Sequence, residues 1–448
     1  MPNPASVYCE QNGGKLELRQ DASGGVAGIC VFPDGSECDE WAYFRGECKA
    51  GNSLITSEPT TSPVVREPTP MPTASPVVTE PTPTSNPTVL RVVYFKGGHV
   101  MLWTEGKGSR QLAEASFEQV RISDDGQVIA YLGYNSAGNA GAYGVFAVDA
   151  DGTNQRLLVG QDYLRNIPSA ERIVSFDFAP ASHTLYFVTD QYDLHRVNAT
   201  SGAPATVFGS GKGGLFSFSP NGQWMVLSHP DELVLARPDG TEAHVVFKNP
   251  RESGYTLVGP EIVWEPDSAG FHMVSASGSP QDSPDNMTVW FVPVAGDPVK
   301  RMSYTGPYGA NLSPDGRKVV YLYFQHEPID VHVVTADGKD TTYASYATQS
   351  YANLDFMGWA PDSEHFLLNL SKDGRISVPY LCAVGEQTVR LTDTDNAESV
   401  SWVDAQRVLF VSHGAPAGDS LHLQRVGEPS VLLDTVHSSW YDYTYINP

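Results

Sequence analysis

A turn signal recurs from Ile122 to the C-terminal end of the 448-residue chain. It reads large apolar residue, any residue, Pro or Asp, then a polar or small pair ending mostly in Gly or Ser. The copies are Ile122-Ser-Asp-Asp-Gly126, Phe178-Ala-Pro-Ala-Ser182, Phe218-Ser-Pro-Asn-Gly222, Trp264-Glu-Pro-Asp-Ser268, Leu312-Ser-Pro-Asp-Gly316, Trp359-Ala-Pro-Asp-Ser363 and Trp402-Val-Asp-Ala-Gln406. Their leading residues are spaced 56, 40, 46, 48, 47 and 43 apart. Pro presets φ, Asn or Asp bonds the backbone, and Gly accepts positive φ, so each copy is a tight turn between strands. A period in the forties built from short strands specifies a β-propeller.

Each unit holds four strands' worth of residues. After Phe218–Gly222, Gln223–Ser228 reads as a second strand and Glu232–Arg237 as a third. Pro238-Asp-Gly240 is the next hairpin turn, and His244–Lys248 is the outer strand. Ala150-Asp-Gly152 and Ala336-Asp-Gly338 repeat that second turn. The large residue heading each signal is expected to pack between adjacent blades. At the ends, Leu90-Arg-Val-Val-Tyr-Phe95 matches the second strand Arg317-Lys-Val-Val-Tyr-Leu322, and no inner strand precedes it. Trp440–Ile446 reads as an inner strand with nothing after it. The expectation is an all-β, eight-bladed propeller closed by one C-terminal and three N-terminal strands, with seven blades as the alternative. Such closure removes sheet edges. The Ser-Pro-Asp-Gly turn with its downstream Ala-Asp-Gly resembles the propeller units of the TolB family and of peptidase-associated propellers, over about residues 89–448. That resemblance implies a fold and leaves the activity open.

Residues 1–50 form a different unit. They contain Cys9, Cys30, Cys38 and Cys48, four of the five cysteines. A segment this short cannot bury a sufficient core alone, so two disulfides are expected, with three connectivities open. Zinc is the competing reading; no Cys-x-x-Cys pair supports it. Disulfides imply an oxidising compartment. The run Asn3–Cys9, Gly13-Gly14, Gly28-Ile-Cys30, Pro33–Cys38, Glu40-Trp41 and Arg45-Gly-Glu-Cys48 resembles a small bacterial cysteine-rich domain of unknown function, to which the label hemolysin is often attached. The resemblance implies an exported protein or lipoprotein. No amphipathic helix or membrane-spanning apolar hairpin supports lysis.

Residues 51–88 are a Pro/Thr-rich linker with an internal repeat, Ser62-Pro-Val-Val-Arg-Glu-Pro-Thr-Pro70 and Ser75-Pro-Val-Val-Thr-Glu-Pro-Thr-Pro83. The composition favours extended polyproline conformation. One reading is a surface stalk. The sharper one is an assembly arm whose Val64, Val65, Val77 and Val78 add as short strands to a neighbour. The propeller is then taken as 89–448.

Basic residues number 28 against 52 acidic ones, a formal charge of −24. This argues against nucleic-acid binding, which needs a basic face. No stretch approaches a membrane span, and the sequence shows no signal peptide at Met1-Pro-Asn-Pro4. An extracellular or cell-surface location is expected from the cysteine-rich unit. Cys382 lies in an apolar strand and reads as a core thiol.

Signatures of chemistry are sparse. There is no Gly-x-Ser-x-Gly elbow. His326-Glu327 starts like a zinc-protease helix, but Pro328 follows. Gly209-Ser-Gly-Lys-Gly-Gly214 lacks the Ser or Thr of a phosphate loop. Asp149–Asn154 resembles the start of a calcium loop without its closing Glu. No cofactor or metal site is expected. Long loops should share the face opposite the short repeat turns, and they carry Tyr134, Tyr163, Tyr255, Tyr304, Tyr308, Tyr346 and Tyr351. That tyrosine-bearing face is the expected binding site. The functional expectation is a non-enzymatic adhesion or scaffold protein, in its most concrete form a self-associating filament subunit. The expected partners are copies of itself, or another surface protein or glycan. A stalked module binding a protein, peptidase or glycan is the alternative. A glycan-active enzyme is third, because paired carboxylates leave no local signature.

Overall fold

The computed structural model describes residues 9, 12–20, 26–33, 36–39 and 43 of the N-terminal unit. Of the larger unit it describes 89–446, leaving outside 136–141, 230–231, 249–261, 277–284, 307–309, 325–327, 347–352, 373–375, 387, 393–395, 416–417 and 437–442. The chain divides into two compact units, Met1–Thr79 and Glu80–Pro448. The linker 51–88, with Val64, Val65, Val77 and Val78, lies outside the described residues, as does Cys48.

In the small unit, Lys15–Gln20, Val26–Val31 and Glu37–Asp39 form an antiparallel sheet in that order. Cys9 is joined to Cys30, with their Cα atoms 5.8 Å apart, and Cys38 is also disulfide-bonded. The buried Cys9, Cys30, Phe32 and Cys38, with Tyr43 edge-on to Phe32, form the core. Sulfur therefore supplies what a chain this short cannot bury as hydrocarbon. Gly14 explains part of the motif: a Cβ there would lie 2.3 Å from Cys30 Sγ and 2.8 Å from Cys9 Sγ.

The large unit contains eight four-stranded antiparallel sheets among the described residues. Seven run consecutively, from Ser116–Ile122 at the start of the first to Val431–Val436 at the end of the seventh. The remaining sheet is made from both ends of the unit: Tyr443–Ile446 pairs with Arg91–Lys96, which continues into His99–Thr104 and Gly108–Glu114. Eight apolar clusters tie these sheets together, each joining one sheet to its neighbour. Leu409 and Val411 of the seventh sheet pack with Val92 and Tyr94. Val93 and Leu102 pack with Ile129 and Tyr131 of the first. The large head residues do the joining: Phe178, Trp359 and Trp402 each pack against the sheet before their own.

The repeat turn is a hydrogen-bonded device. In the turn 313–316, Ser313 Oγ donates to Asp315 Oδ1 at 2.6 Å and accepts from the Lys318 N–H. Asp315 Oδ1 also accepts from the Arg317 N–H. Ser123 with Asp125, and Ser219 with Asn221, repeat the pattern. Burial opposes ionisation of Asp125, but the Gln127 N–H, the Ser123 hydroxyl and His183 outweigh it and hold the carboxyl below its usual range.

The last turn position touches the preceding sheet. Ser268 Oγ accepts from the Asn221 N–H at 3.1 Å, and Ser363 Oγ from the Asp315 N–H at 3.0 Å. Both serines are buried and hold positive φ, 63° and 60°. The position thus takes Gly where a neighbouring side chain or backbone comes close, as His272 does at Gly316 and Pro180 O at Gly222, and Ser where a hydroxyl can bridge.

Imidazoles stack on the aromatic residue directly across the strand pair in three sheets: His195 on Phe187, His332 on Tyr321 and His422 on Phe410. Burial lowers the pKa of His195, against a smaller opposing pull from Asp193, and burial lowers that of His422. The unfolded chain therefore binds protons that the folded one refuses once pH falls below about 6.5, the free imidazole value. Their contribution to stability is complete above that pH and is lost as pH falls through this window. We expect the melting temperature to drop as pH falls below about 6.5, and the slope to flatten in a His195→Gln/His422→Gln variant. An unchanged slope in the variant would assign the effect to other groups.

Candidate functional site

In each antiparallel sheet, strand order puts the turns joining strands one to two and three to four at one end. The other connections gather at the opposite end. At that end, between the sixth and seventh sheets, polar side chains from five strands meet. Asn369 comes from His365–Lys372 and Ser377 from Ile376–Ala383. Glu398 lies on the inner strand Ala397–Trp402, His413 on Arg407–Ala415 and Asp419 on Gly418–Arg425. The pairing register shifts between Glu398 and Ser401 and between Ser412 and Ala415. Asn396 and Ser399 hold φ of 59° and 50°. Bulges and left-handed residues of this kind re-aim side chains at the rim of a sheet.

The geometry centres on His413. Its Nδ1 lies 3.2 Å from Asp419 Oδ1 and its Nε2 3.2 Å from Glu398 Oε2, the second contact being too poorly aligned to count as a hydrogen bond. Only the imidazolium offers a proton to both sides. Ser377 Oγ donates to Glu398 Oε1 at 3.3 Å, and Asn369 Nδ2 reaches Ser377 Oγ at 3.4 Å. The side-chain oxygens of Asn369 and Asn396 are buried and lack a partner among the described residues.

Two carboxylates on opposite nitrogens of one ring are no more than about 9 Å apart, a spacing that an inverting glycosidase pair also shows. Here the imidazole fills the space where a sugar and a water would have to sit. Ser377 contacts Glu398, and no histidine bonds its hydroxyl among the described residues. The arrangement offers hydroxyl, amide and carboxylate groups to a ligand. Among the described residues no group of three His, Cys, Asp or Glu could hold a metal ion.

The tyrosines expected on this face are placed differently. Tyr163 lies on the short helix Gln161–Leu164 and is half-buried, edge-on to Phe187, with its hydroxyl 3.0 Å from His195 Nδ1. Tyr304 is buried and stacked on Tyr321, and its pKa is raised by burial and then by Asp340. Tyr346 is half-buried, its hydroxyl 3.5 Å from Thr388 Oγ1. The correction has a simple cause. Tyr304 and Tyr346 belong to the strands Val299–Gly306 and Asp340–Tyr346, not to loops, so side-chain alternation turns Tyr304 inward. Tyr255, Tyr308 and Tyr351, and the side chain of Tyr134, lie outside the described residues. Sequence reading passed over Glu398 and His413; the one available signal was Asn369, a polar residue inside the apolar run Phe366-Leu-Leu-Asn-Leu370. Cys382 is free and buried, and burial pushes its thiol up to about 12 despite Tyr343 and Thr388.

Residues 1–47 match a family described as a domain of unknown function, DUF333. The uncharacterized protein YoaF of Escherichia coli K12, and that of Shigella flexneri, are each 51% identical over 51 residues. That stretch is 11% of this chain and 60% of each relative. Among solved structures, the β-propeller domain of the Trilobed protease from Pyrococcus furiosus is similar at 12% identity, covering 71% of this chain and 84% of that one, with a TM-score of 0.38. TolB from Acinetobacter baumannii is similar at 13% identity, covering 70% of each chain, with a TM-score of 0.32. The larger unit is β-propeller-like, and the smaller is a domain of unknown function.

Proposed function

We propose that the eight sheets form one closed eight-bladed propeller, and that the chain is an exported, non-enzymatic surface scaffold that self-associates into a filament. The observation that carries this reading is apolar surface on the outermost strands. Val431 and Leu432, on the edge strand Val431–Val436, are 61% and 55% exposed. Val389 of the sixth sheet and Val299 of the fourth are exposed at corresponding edges. An edge strand carries unpaired backbone groups and accepts a further strand. The Pro-Val-Val stretches of the linker have the composition to supply one from a neighbouring copy. A contact of that kind that does not close into a ring propagates a filament. The disulfides of the small unit suit an extracellular site.

A stalked binding module is the second reading. The Asn369–Ser377–Glu398–His413–Asp419 cluster favours it, because its polar groups suit a peptide or glycan. Negative-stain microscopy of the oxidised protein, with and without residues 1–88, separates the two. Filaments that disappear on truncation are the expected result. Separate ring-shaped particles from both proteins would sink self-assembly and leave the binding module.

A further inference from the structure

The short-turn end of the ring carries a groove of about 250 Å³ between the sheet made from both chain ends and the first sheet, lined by Arg91, Lys107, Ser109, Arg110, Gln127 and Asp151 among others. Three of these side chains are cationic and one is a carboxylate. That carboxylate is already committed: Asp151 Oδ1 accepts from the Thr153 N–H at 2.9 Å and from the Thr153 hydroxyl at 2.5 Å. These bonds, with a smaller pull from Arg110, hold the Asp151 carboxyl below its usual range. Lys107 and Arg110 are exposed, and neither makes an ion pair or a side-chain hydrogen bond among the described residues. Arg91 is half-buried. Its Nη1 donates to the Gly126 carbonyl at 2.6 Å, while its Nε–H is buried and has no acceptor among the described residues. A guanidinium donates and never accepts, so the unmet group is a donor however the protons are assigned. Two further grooves at this end lack the same balance. Between the fourth and fifth sheets, Arg301 and Arg317 are matched by Glu265 and Asp315. Between the sixth and seventh, Arg390 is matched by Glu428 and gives its Nε–H to the Thr392 carbonyl at 2.7 Å. In a chain of formal charge −24, an excess of two cations in one groove is a local reversal of sign.

We propose that this groove is a site for a small oxyanion, taking the carboxylate or phosphate group of a solute between Lys107, Arg110 and the half-buried Arg91. The guanidinium fork matches the geometry of both groups and binds them through paired charge-assisted hydrogen bonds, and the lysine adds a point charge. The volume lies below the range of about 300–1,000 Å³ that drug-sized ligands fill, so the groove takes one small anion or the charged end of a longer molecule. Asp151 limits the affinity, since it is the one like charge that an incoming anion meets along the lining. This site is independent of the filament reading and lies at the end of the ring opposite the His413 cluster.

Titration calorimetry of the full oxidised chain at low ionic strength, with inorganic phosphate and separately with citrate, tests the assignment. Saturable binding of at least one is expected. It should weaken at least about tenfold in Lys107→Ala/Arg110→Ala, whose exposed side chains can be removed without unfolding the ring. It should be unchanged in Arg301→Ala/Arg317→Ala, which removes the same charge from a different groove. Asp151→Asn keeps the oxygen that Thr153 bonds and removes the like charge, so it should tighten binding about twofold to fivefold, a gain that a damaged fold would not produce. Phosphate without citrate would assign the site to phosphoryl groups, and the reverse to carboxylates. No saturable binding of either probe would overturn the proposal. So would binding that persists in the first variant, that falls equally in the second, or that weakens in Asp151→Asn.

Discussion

A chain ending before Tyr443 should unfold about 8 °C below the full-length protein, a large effect for a unit this size. The strand Tyr443–Ile446 supplies the edge on which Arg91–Lys96 pairs. Tyr443 and Tyr445 pack into the cluster that holds Leu90, Val92 and Tyr94 to Val403, Leu409 and Val411. The Tyr443 hydroxyl donates to Ser401 Oγ at 3.0 Å and lies 3.2 Å from the Leu409 carbonyl, with Ser399 O as a further acceptor. The Tyr445 hydroxyl donates to the Trp402 carbonyl. Losing two aromatic side chains and Ile446 from such contacts costs on the order of 6 kcal/mol. The milder Tyr443→Phe keeps the ring and removes the hydroxyl, for a loss of about 1–2 kcal/mol. Thermal unfolding followed by circular dichroism reads both. A truncated chain that melts with the full-length protein would show that the eighth sheet does not hold the two ends together.

The legible and the illegible parts of this molecule divide along a physical line. Turn chemistry is local, so Leu312-Ser-Pro-Asp-Gly316 announces itself, and the pairing of Tyr443–Ile446 with Arg91–Lys96 follows from counting strands in the incomplete first and last units. The Cys9–Cys30 link lay within the small unit's expected set, although spacing alone left three connectivities. What sequence reading missed acts across strands. That Ser363 holds the Asp315 N–H depends on residues 48 positions apart in neighbouring sheets, and that His413 sits between Glu398 and Asp419 depends on how three adjacent strands of one sheet align. Tyr304 misled because its aromatic ring, placed in a loop on paper, belongs to a strand whose alternation buries it.

Gly316→Ala is expected to destabilise the protein by about 3 kcal/mol, beyond the ordinary cost of a side chain at positive φ. Gly316 sits at φ 65°, and a Cβ there would lie 2.3 Å from Cγ and Nδ1 of His272. The imidazole has nowhere to retreat: it is buried, and Glu265 holds its far nitrogen at 2.7 Å. Backbone strain can be measured separately at Gly385, which has φ 84° and open space around its missing Cβ. Gly385→Ala should therefore lose only about 1 kcal/mol. Chemical denaturation of the two variants isolates the collision as the difference between them. A double-mutant cycle with His272→Ala then assigns it: with the ring gone, Gly316→Ala should cost little more than Gly385→Ala. Equal losses in the two single variants would mean that the turn does not rest on His272.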